Sequence, residues 1–101
     1  MNYIEPNELK SWIDNDQDFQ LIDVREDYER AQFNIGGLWI PLPEIMEHLD
    51  QIDASKPVVF YCKMGIRSGI ALQRLEPRFP STTFYNLKGG MEAWKKIFKL
   101  G

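Results

Sequence analysis

The sequence predicts a single α/β domain with a central, mainly parallel sheet of about five strands and helices on both faces. Short apolar runs typical of strands alternate along the chain with segments whose apolar residues recur at helical spacing. The run Pro57–Tyr61 is almost entirely apolar, as expected of a strand that is covered on both faces. The chain has 101 residues, no internal repeat and no Gly/Ser-rich linker, so one domain over residues 1–101 is predicted.

The N-terminal part contains two predicted strands and two helical segments. They are a helix with Leu9, Trp12 and Ile13 on its apolar face, a buried strand over Phe19–Val24, a polar helix-compatible segment over Glu26–Ala31, and a short strand over Leu38–Ile40 closed by Pro41. Strands that alternate with helices need crossover connections, so these strands are expected to pair in parallel.

The C-terminal part continues this alternation. Its predicted elements are a helix that begins near Pro43 and carries Ile45, Leu49 and Ile52, a strand over Pro57–Tyr61, a helix over Ser68–Leu75 ended by Pro77 and Pro80, a strand over Thr82–Leu87, and a helix over Met91–Lys99 with Trp94, Ile97 and Phe98 on its apolar face. The pair Gly89 and Gly90 is predicted to form a tight turn before the last helix. Trp12, Trp39 and Trp94 each lie in an apolar pattern and are not predicted as binding groups, and Trp94 is expected in the core.

Composition and charge narrow the classes of function. Hydrophobic residues make up 44% and charged residues 27%, which is typical of a globular domain. The net charge of -3 and the absence of a basic run argue against nucleic acid or an anionic membrane as a partner. No apolar stretch approaches the roughly 20 residues of a membrane span. Since residues 1–6 also lack the pattern of a signal peptide, a cytoplasmic location is predicted.

The cysteine count limits the chemistry further. A single cysteine cannot form an internal disulfide, which suits a reducing compartment. It also rules out a cysteine-rich metal site and a disulfide exchange cycle within the chain. We therefore predict no metal site.

Cys62 is the strongest candidate for a reactive group. It follows the most buried predicted strand and lies in a short loop that leads into a helix, where parallel sheets bind their ligands. The helix N-terminus offers unpaired N–H groups, and Lys63 and Arg67 add positive charge. Gly65 and Gly69 let the backbone curl so that several N–H groups point at one centre. These features favour a thiolate over a thiol.

Simpler structural interpretations stay open for the same residues. A lone cysteine in a cytoplasmic protein is often a small buried hydrophobic residue. Ser68 can cap the following helix, and Lys63 and Arg67 can be solvated loop charges. The sole histidine, His48, lies on a predicted helix and is expected at the surface, without a role.

The loop Cys62–Ser68 resembles the active-site loop of rhodanese-like sulfurtransferases. Further segments resemble that family in the same order over nearly the whole chain: Leu21–Arg25 with Glu29, Ile35–Leu38, Ile40–Leu42, Leu87–Gly90 and Ala93–Trp94. One position departs from the family pattern, since Asn34 stands where the family often has a histidine. That histidine is not regarded as the chemical group, so the resemblance implies an active rhodanese-like domain.

The resemblance implies sulfur transfer with Cys62 as the catalytic nucleophile. In this family the thiolate attacks the outer sulfur of a donor such as thiosulfate, holds it as a persulfide, and passes it to cyanide or a thiol. Neither a metal nor an organic cofactor is implied. The residues that would cradle the persulfide and bind the anionic donor are Lys63, Met64, Gly65, Ile66, Arg67 and Ser68. Their converging N–H groups would stabilise the thiolate and the persulfide anion.

Asp23 and Arg25 are supporting candidates. They follow the first strong strand, so we expect them at the same sheet edge as Cys62. An ionic network with Glu29 would fix the loop, which favours a structural role over a chemical one.

Two alternatives remain at this point. A sulfur-carrier or interaction domain would use the same loop to serve a partner, such as a sulfur-relay protein in cofactor or tRNA sulfur delivery. A cysteine phosphatase or arsenate reductase is less favoured, because its loop is longer and only four residues separate Cys62 from Arg67. Tyr61 also stands where phosphatases usually have a histidine. The shorter loop is expected to fit one sulfur atom better than a phosphate.

Overall fold

The computed structural model describes residues 1–99 and contains one five-stranded sheet. The strands are β1 (Asn2–Ile4), β2 (Gln20–Asp23), β3 (Leu38–Trp39), β4 (Val58–Tyr61) and β5 (Phe84–Leu87). Their order across the sheet is β1-β5-β4-β2-β3, and every neighbouring pair is parallel. The predicted α/β class and parallel sheet are confirmed.

Helices make the crossover connections that parallel strands require. The α-helices are α1 (Pro6–Asp14), α2 (Asp27–Gln32), α3 (Ile66–Leu75) and α4 (Gly90–Ile97), and the 3-10 helices are Leu42–Glu47, Leu49–Gln51 and Glu76–Arg78. None of the helices within residues 1–99 is long and apolar enough to cross a membrane.

The first strand was not predicted from the sequence. Within β1 only Ile4 is buried, so the segment lacks the alternation that marks a longer strand. It is held by parallel pairing with β5, in which Ile4 lies beside Leu87. Tertiary pairing therefore creates this strand where local pattern gives no signal.

The segment that begins near Pro43 was predicted to be one helix with α-helical spacing, and this prediction is wrong in helix type. The segment forms two 3-10 helices separated at His48, whose φ is -125°. Leu42 precedes Pro43, and a residue before proline is disfavoured in the α conformation. The tighter turns still bury Ile45 and Ile52, the apolar residues that produced the helical spacing.

Both faces of the sheet are covered, as predicted. All four residues of β4 are buried, and they alternate between two apolar clusters. Val58 and Phe60 lie in the cluster that includes residues of α3, whereas Val59 and Tyr61 lie in the cluster that includes residues of α1 and α4. Because β4 is central and dry on both sides, the loop that follows it begins from a rigid base.

The expected core position of Trp94 is confirmed, since it is 4% exposed, whereas Trp12 is partly buried. Trp12 and Trp94 pack in the cluster between the sheet, α1 and α4. Trp39 is exposed, because it lies on the short edge strand β3, and its indole N–H donates to the Arg25 carbonyl at 2.9 Å. Ile97, predicted on the apolar face of the last helix, is also exposed.

Candidate active site

Cys62 lies directly after β4, at the carboxyl edge of the sheet. The register pairs Asp23 of β2 with Tyr61 of β4, so the predicted supporting residues reach the same edge. The chain then turns through Gly65, whose φ of 97° is in the left-handed region that favours glycine. Gly65 is the N-cap of α3, so a helix N-terminus faces back toward the cysteine.

Backbone N–H groups from this turn converge on the cysteine sulfur. The Gly65 N–H donates to Sγ at 3.1 Å and the Ser68 N–H at 3.3 Å. Cys62 is 1% exposed, so these bonds act with little competition from water. The sequence predicted that N–H groups of residues 63–68 converge on one centre. Among residues 1–99, those of Gly65 and Ser68 form hydrogen bonds to Sγ. A pair of fixed donors in a dry site stabilises negative charge on sulfur.

Ser68 lies in the first turn of α3 and does not cap it, which corrects that prediction. Its Oγ is 3.2 Å from Sγ and donates to Asn86 Oδ1 at 2.5 Å. A hydroxyl has one proton, so while it bonds Asn86 the Ser68 oxygen accepts from the Cys62 thiol.

Asn86 is the residue of this site that sequence reasoning missed. It is buried in β5, and its Nδ2 donates to the Gly65 carbonyl at 2.9 Å. It therefore holds the loop backbone and the Ser68 hydroxyl at once. The available signal was an amide inside the otherwise apolar run Phe84–Leu87, because a buried amide needs specific partners.

The N-terminus of α4 supports the loop from another side. The Met91 N–H donates to the Cys62 carbonyl at 2.9 Å, and the Glu92 N–H donates to the Lys63 carbonyl at 3.0 Å. A Cβ at Gly90 would lie 2.5 Å from the Lys63 carbonyl oxygen and 2.6 Å from that of Cys62. The predicted tight turn is present, with positive φ at Gly89 and Gly90. Only glycine allows this close approach.

Arg67 is held by Glu29 in a bidentate ion pair. Its two terminal nitrogens donate to Oε1 and Oε2 at 2.7 and 2.8 Å. The hydrogen bonds from Arg67 outweigh partial burial and lower the pKa of Glu29 to about 2, and the same bonds raise the pKa of Arg67. Glu29 Oε1 also accepts the Glu26 N–H, so α2 and the loop are fastened together. The positive charge of Arg67, which was expected to bind the anionic donor, is thus already paired with Glu29.

Asp23 and Arg25 form a buried ion pair, and Arg30 Nη1 also donates to Asp23 Oδ2 at 3.3 Å. The Arg25 Nε and Nη2 donate to the two Asp23 oxygens, each at 2.9 Å, and Nη2 also donates to the Phe33 carbonyl at 2.7 Å. Burial opposes ionisation of Arg25, but the hydrogen bond and charge of Asp23 prevail and raise its pKa. In the predicted network with Glu29, the direct ion-pair partner of Glu29 is Arg67, while the Glu29 charge acts on Arg25 without a salt bridge among residues 1–99.

An open cavity of about 480 Å³ lies beside the loop. It is bounded by α2, α4 and the loop, and its lining residues are Arg25, Tyr28, Glu29, Gln32, Lys63, Arg67, Met91, Glu92 and Lys95. Lys63 lies at the rim, where its Nζ is 4.0 Å from Glu92 Oε1. Met64 and Ile66, also in the predicted cradle, are exposed on the outside of the loop.

A group of potential metal ligands occurs elsewhere. Glu44, Glu47 and His48 bring one ligand atom each to within 4.8 Å of one another. The two glutamates are exposed, and exposed acidic groups are common without a metal. We assign this group no role; the side chain of His48, which was expected at the surface, is 37% exposed.

Comparison with known proteins agrees with this geometry. Residues 5–97 match the rhodanese-like domain family. Bacillus subtilis YqhL is 43% identical over 76 residues, which are 74% of this chain and 60% of YqhL. The thiosulfate sulfurtransferase GlpE of Coxiella burnetii is 32% identical over 98 residues, which are 94% of this chain and 90% of GlpE.

Related domains occur in other protein contexts. The adenylyltransferase and sulfurtransferase MOCS3 of Drosophila grimshawi is 31% identical over 110 residues, covering 93% of this chain but 24% of MOCS3. The crystal structure of a rhodanese-like domain protein from Staphylococcus aureus gives a TM-score of 0.83 at 29% identity, covering 93% of this chain and 91% of that one. The chain therefore belongs to the rhodanese-like domain family.

Proposed function

We propose that this chain is a rhodanese-type sulfurtransferase that carries a sulfane sulfur as a persulfide on Cys62. The observation that carries the proposal is the pair of N–H bonds from Gly65 and Ser68 to a buried sulfur at a helix N-terminus. Relatives with sulfurtransferase names, GlpE among them, support a sulfur transfer role of this type. A location in the cytoplasm suits a chain with one unpaired cysteine.

The proposed reaction has two displacements at sulfur. The Cys62 thiolate attacks the outer sulfur of thiosulfate, a new S–S bond forms, and sulfite leaves with the electron pair of the old S–S bond. Cyanide or a thiolate then attacks the outer sulfur of the persulfide, and the Cys62 thiolate is released. The Gly65 and Ser68 N–H groups stabilise the sulfur anion at both stages, so no separate base is required.

Lys63 is the loop cation best placed to attract an anionic donor. It is exposed and its contact with Glu92 is long, at 4.0 Å, whereas Arg67 is engaged by Glu29 at 2.7 Å. A dianionic donor therefore meets Lys63 first, and a hydrogen bond from Arg67 needs partial displacement of Glu29.

A sulfur carrier for a partner protein is the second candidate. Met64 and Ile66 are 48% and 66% exposed in the loop that holds the cysteine, and exposed apolar side chains around a reactive atom favour protein contact. MOCS3, in which the related domain is part of a larger protein, supports the same idea. The engagement of Arg67 by Glu29 argues against a phosphatase, which needs that arginine for the phosphate.

The intact mass of the protein tests the proposal. We expect the wild type to gain one sulfur atom after thiosulfate treatment and donor removal, and cyanide or a thiol to strip it off. Cys62→Ser, with its fold retained by circular dichroism, should gain none. A wild type that gains no sulfur from thiosulfate or from a persulfide-bearing protein would refute the persulfide mechanism.

A further inference from the structure

The surroundings of Asn86 allow its side-chain amide one orientation. Its Nδ2 donates to the Gly65 carbonyl at 2.9 Å and lies 3.6 Å from the Met1 Sδ. A carbonyl oxygen and a thioether sulfur only accept hydrogen bonds. If the amide were turned over, its oxygen would face the Gly65 oxygen, and both acceptors would lose a partner. The Oδ1 of Asn86 therefore faces Ser68.

This orientation fixes the direction in which the Ser68 hydroxyl donates. Asn86 Oδ1 lies 2.5 Å from Ser68 Oγ, and an amide oxygen has no proton to give. The single hydroxyl proton of Ser68 is therefore directed at Asn86. The two residues are 0% and 1% exposed, so solvent competes little for this hydrogen bond.

The sulfur of Cys62 thus faces a hydroxyl oxygen that accepts a hydrogen bond. Ser68 Oγ lies 3.2 Å from Sγ and accepts from the thiol, and a hydrogen bond made by the neutral form opposes ionisation. The N–H groups of Gly65 and Ser68, at 3.1 and 3.3 Å from Sγ, act in the opposite sense and favour the thiolate. The site therefore combines two donors that promote ionisation with one acceptor that limits it.

We propose that Asn86 is a positioning residue that turns the Ser68 hydroxyl proton away from the sulfur and thereby limits the ionisation of Cys62. Its consequence for sulfur transfer rests on the proposed function, in which Cys62 is the nucleophile of the first step. A thiolate that holds its proton less tightly forms more readily but is a weaker nucleophile. The hydroxyl oxygen therefore preserves the nucleophilicity that the N–H groups and the helix N-terminus reduce.

A double-mutant cycle on the rate of iodoacetamide alkylation tests the direction of the hydroxyl. Iodoacetamide is uncharged and reacts with the thiolate of the single cysteine, and its rate is measured against pH in the wild type, Ser68→Ala, Asn86→Ala and the double variant. With Asn86 present, Ser68→Ala removes an acceptor and should move the midpoint of the profile to lower pH by about 0.5–1 unit. In the Asn86→Ala background the freed hydroxyl donates to the thiolate, so Ser68→Ala should move the midpoint to higher pH.

The reversal of sign between the two backgrounds is the expected result. A Ser68→Ala shift in the same direction in both backgrounds overturns the proposal. If circular dichroism shows that Asn86→Ala does not fold, the sign of the Ser68→Ala shift decides alone: a move to lower pH supports the proposal, and no move or a move to higher pH overturns it. The matched control is Ser11→Ala on α1, where the exposed hydroxyl accepts from Asn15 at 3.1 Å, and it should leave the profile unchanged.

The charged groups around the cysteine loop are the same in all four proteins of the cycle, so they do not produce the reversal. They are Lys63 and Arg67 of the loop, Glu29 of α2, Glu92 of α4, and the buried pair Asp23 and Arg25. Burial raises the pKa of Tyr61 to about 12, so its hydroxyl stays neutral at the pH of the assay.

Alkylation requires no sulfur transfer, so the two proposals fail separately. A protein that takes up no sulfur but shows the reversal refutes the proposed function and keeps the role of Asn86. Persulfide formation without the reversal refutes the role of Asn86 alone.

Discussion

Substitution of Glu29 by glutamine should destabilise the protein in a pH-dependent way. Glutamine keeps the size of the side chain and can still accept the Glu26 N–H, but it removes the charge that pairs with Arg67. The Glu29 side chain is 12% exposed and that of Arg67 is 31% exposed, so the pair is only partly screened by solvent. The variant therefore isolates the electrostatic link between α2 and the cysteine loop.

The expected magnitude follows from the pKa of Glu29. A fall from its usual 4.5 to about 2 corresponds to about 3 kcal/mol, at about 1.4 kcal/mol per pKa unit. Since Arg67 is partly solvated, we expect a loss of about 2 kcal/mol at pH 7. A lowered folded-state pKa means that this stabilisation is complete above pH 4.5 and is lost as the pH falls toward 2. At pH 3 the difference between wild type and variant should be less than about half its value at pH 7.

Urea unfolding followed by tryptophan fluorescence measures this difference, because Trp94 is buried in the core and Trp12 packs against it. The matched control is Asp18→Asn, which removes an ion pair with Lys56 at 3.1 Å in which Asp18 is 86% exposed. That control should change the free energy of unfolding little at either pH. A Glu29→Gln effect of equal size at pH 7 and pH 3 would refute the assigned role of the ion pair.

Three further substitutions test the supports of the loop. Gly90→Ala places a Cβ 2.5 Å from the Lys63 carbonyl oxygen and should lower the urea concentration at the unfolding midpoint. The control Gly36→Ala, whose Cβ would meet no atom within 4 Å, should lower it by less. Equal shifts in the two variants would contradict the close approach at Gly90. Asn86→Ala removes the partner of the buried Ser68 hydroxyl and of the Gly65 carbonyl. It should therefore lower the free energy of unfolding by about 1–3 kcal/mol and slow sulfur uptake from thiosulfate. Sulfur uptake at the wild-type rate would show that Asn86 does not position the loop. Arg25→Met removes the closer of the two arginine partners of the buried Asp23 carboxylate, which keeps Arg30 at 3.3 Å, and should cost about 1–3 kcal/mol in thermal unfolding; a cost near zero would show that the Arg25 contact is dispensable.

Features that depend on neighbours in the chain were predictable from the sequence. The apolar run of β4, the cysteine after it and the loop glycine together indicate a strand, a turn and a helix. The alternation of strands with helices indicates a parallel sheet, and the carboxyl edge of such a sheet is where a site lies. The order of the family segments around Cys62 identified the family, which the match over residues 5–97 confirms.

Features that depend on the order of strands in space were not predictable in the same way. Asn86 reaches the loop because β5 lies beside β4, and periodicity does not encode that order. Glu29 and Arg67 are 38 positions apart, and whether Glu29 pairs with Arg67 or with Arg25 is decided by where α2 packs. The strand Asn2–Ile4 exists only because β5 offers it a partner.

The sequence by itself thus determined the fold class and the candidate nucleophile, because both follow from local patterns of apolar residues, glycine and a single cysteine. The tertiary structure alone decided what surrounds the cysteine loop: the Asn86 amide and the ion pair of Arg67 with Glu29. The physical reason is that hydrogen bonds and ion pairs act over a few ångströms. Residues far apart in the chain come within that range only when the sheet has assembled.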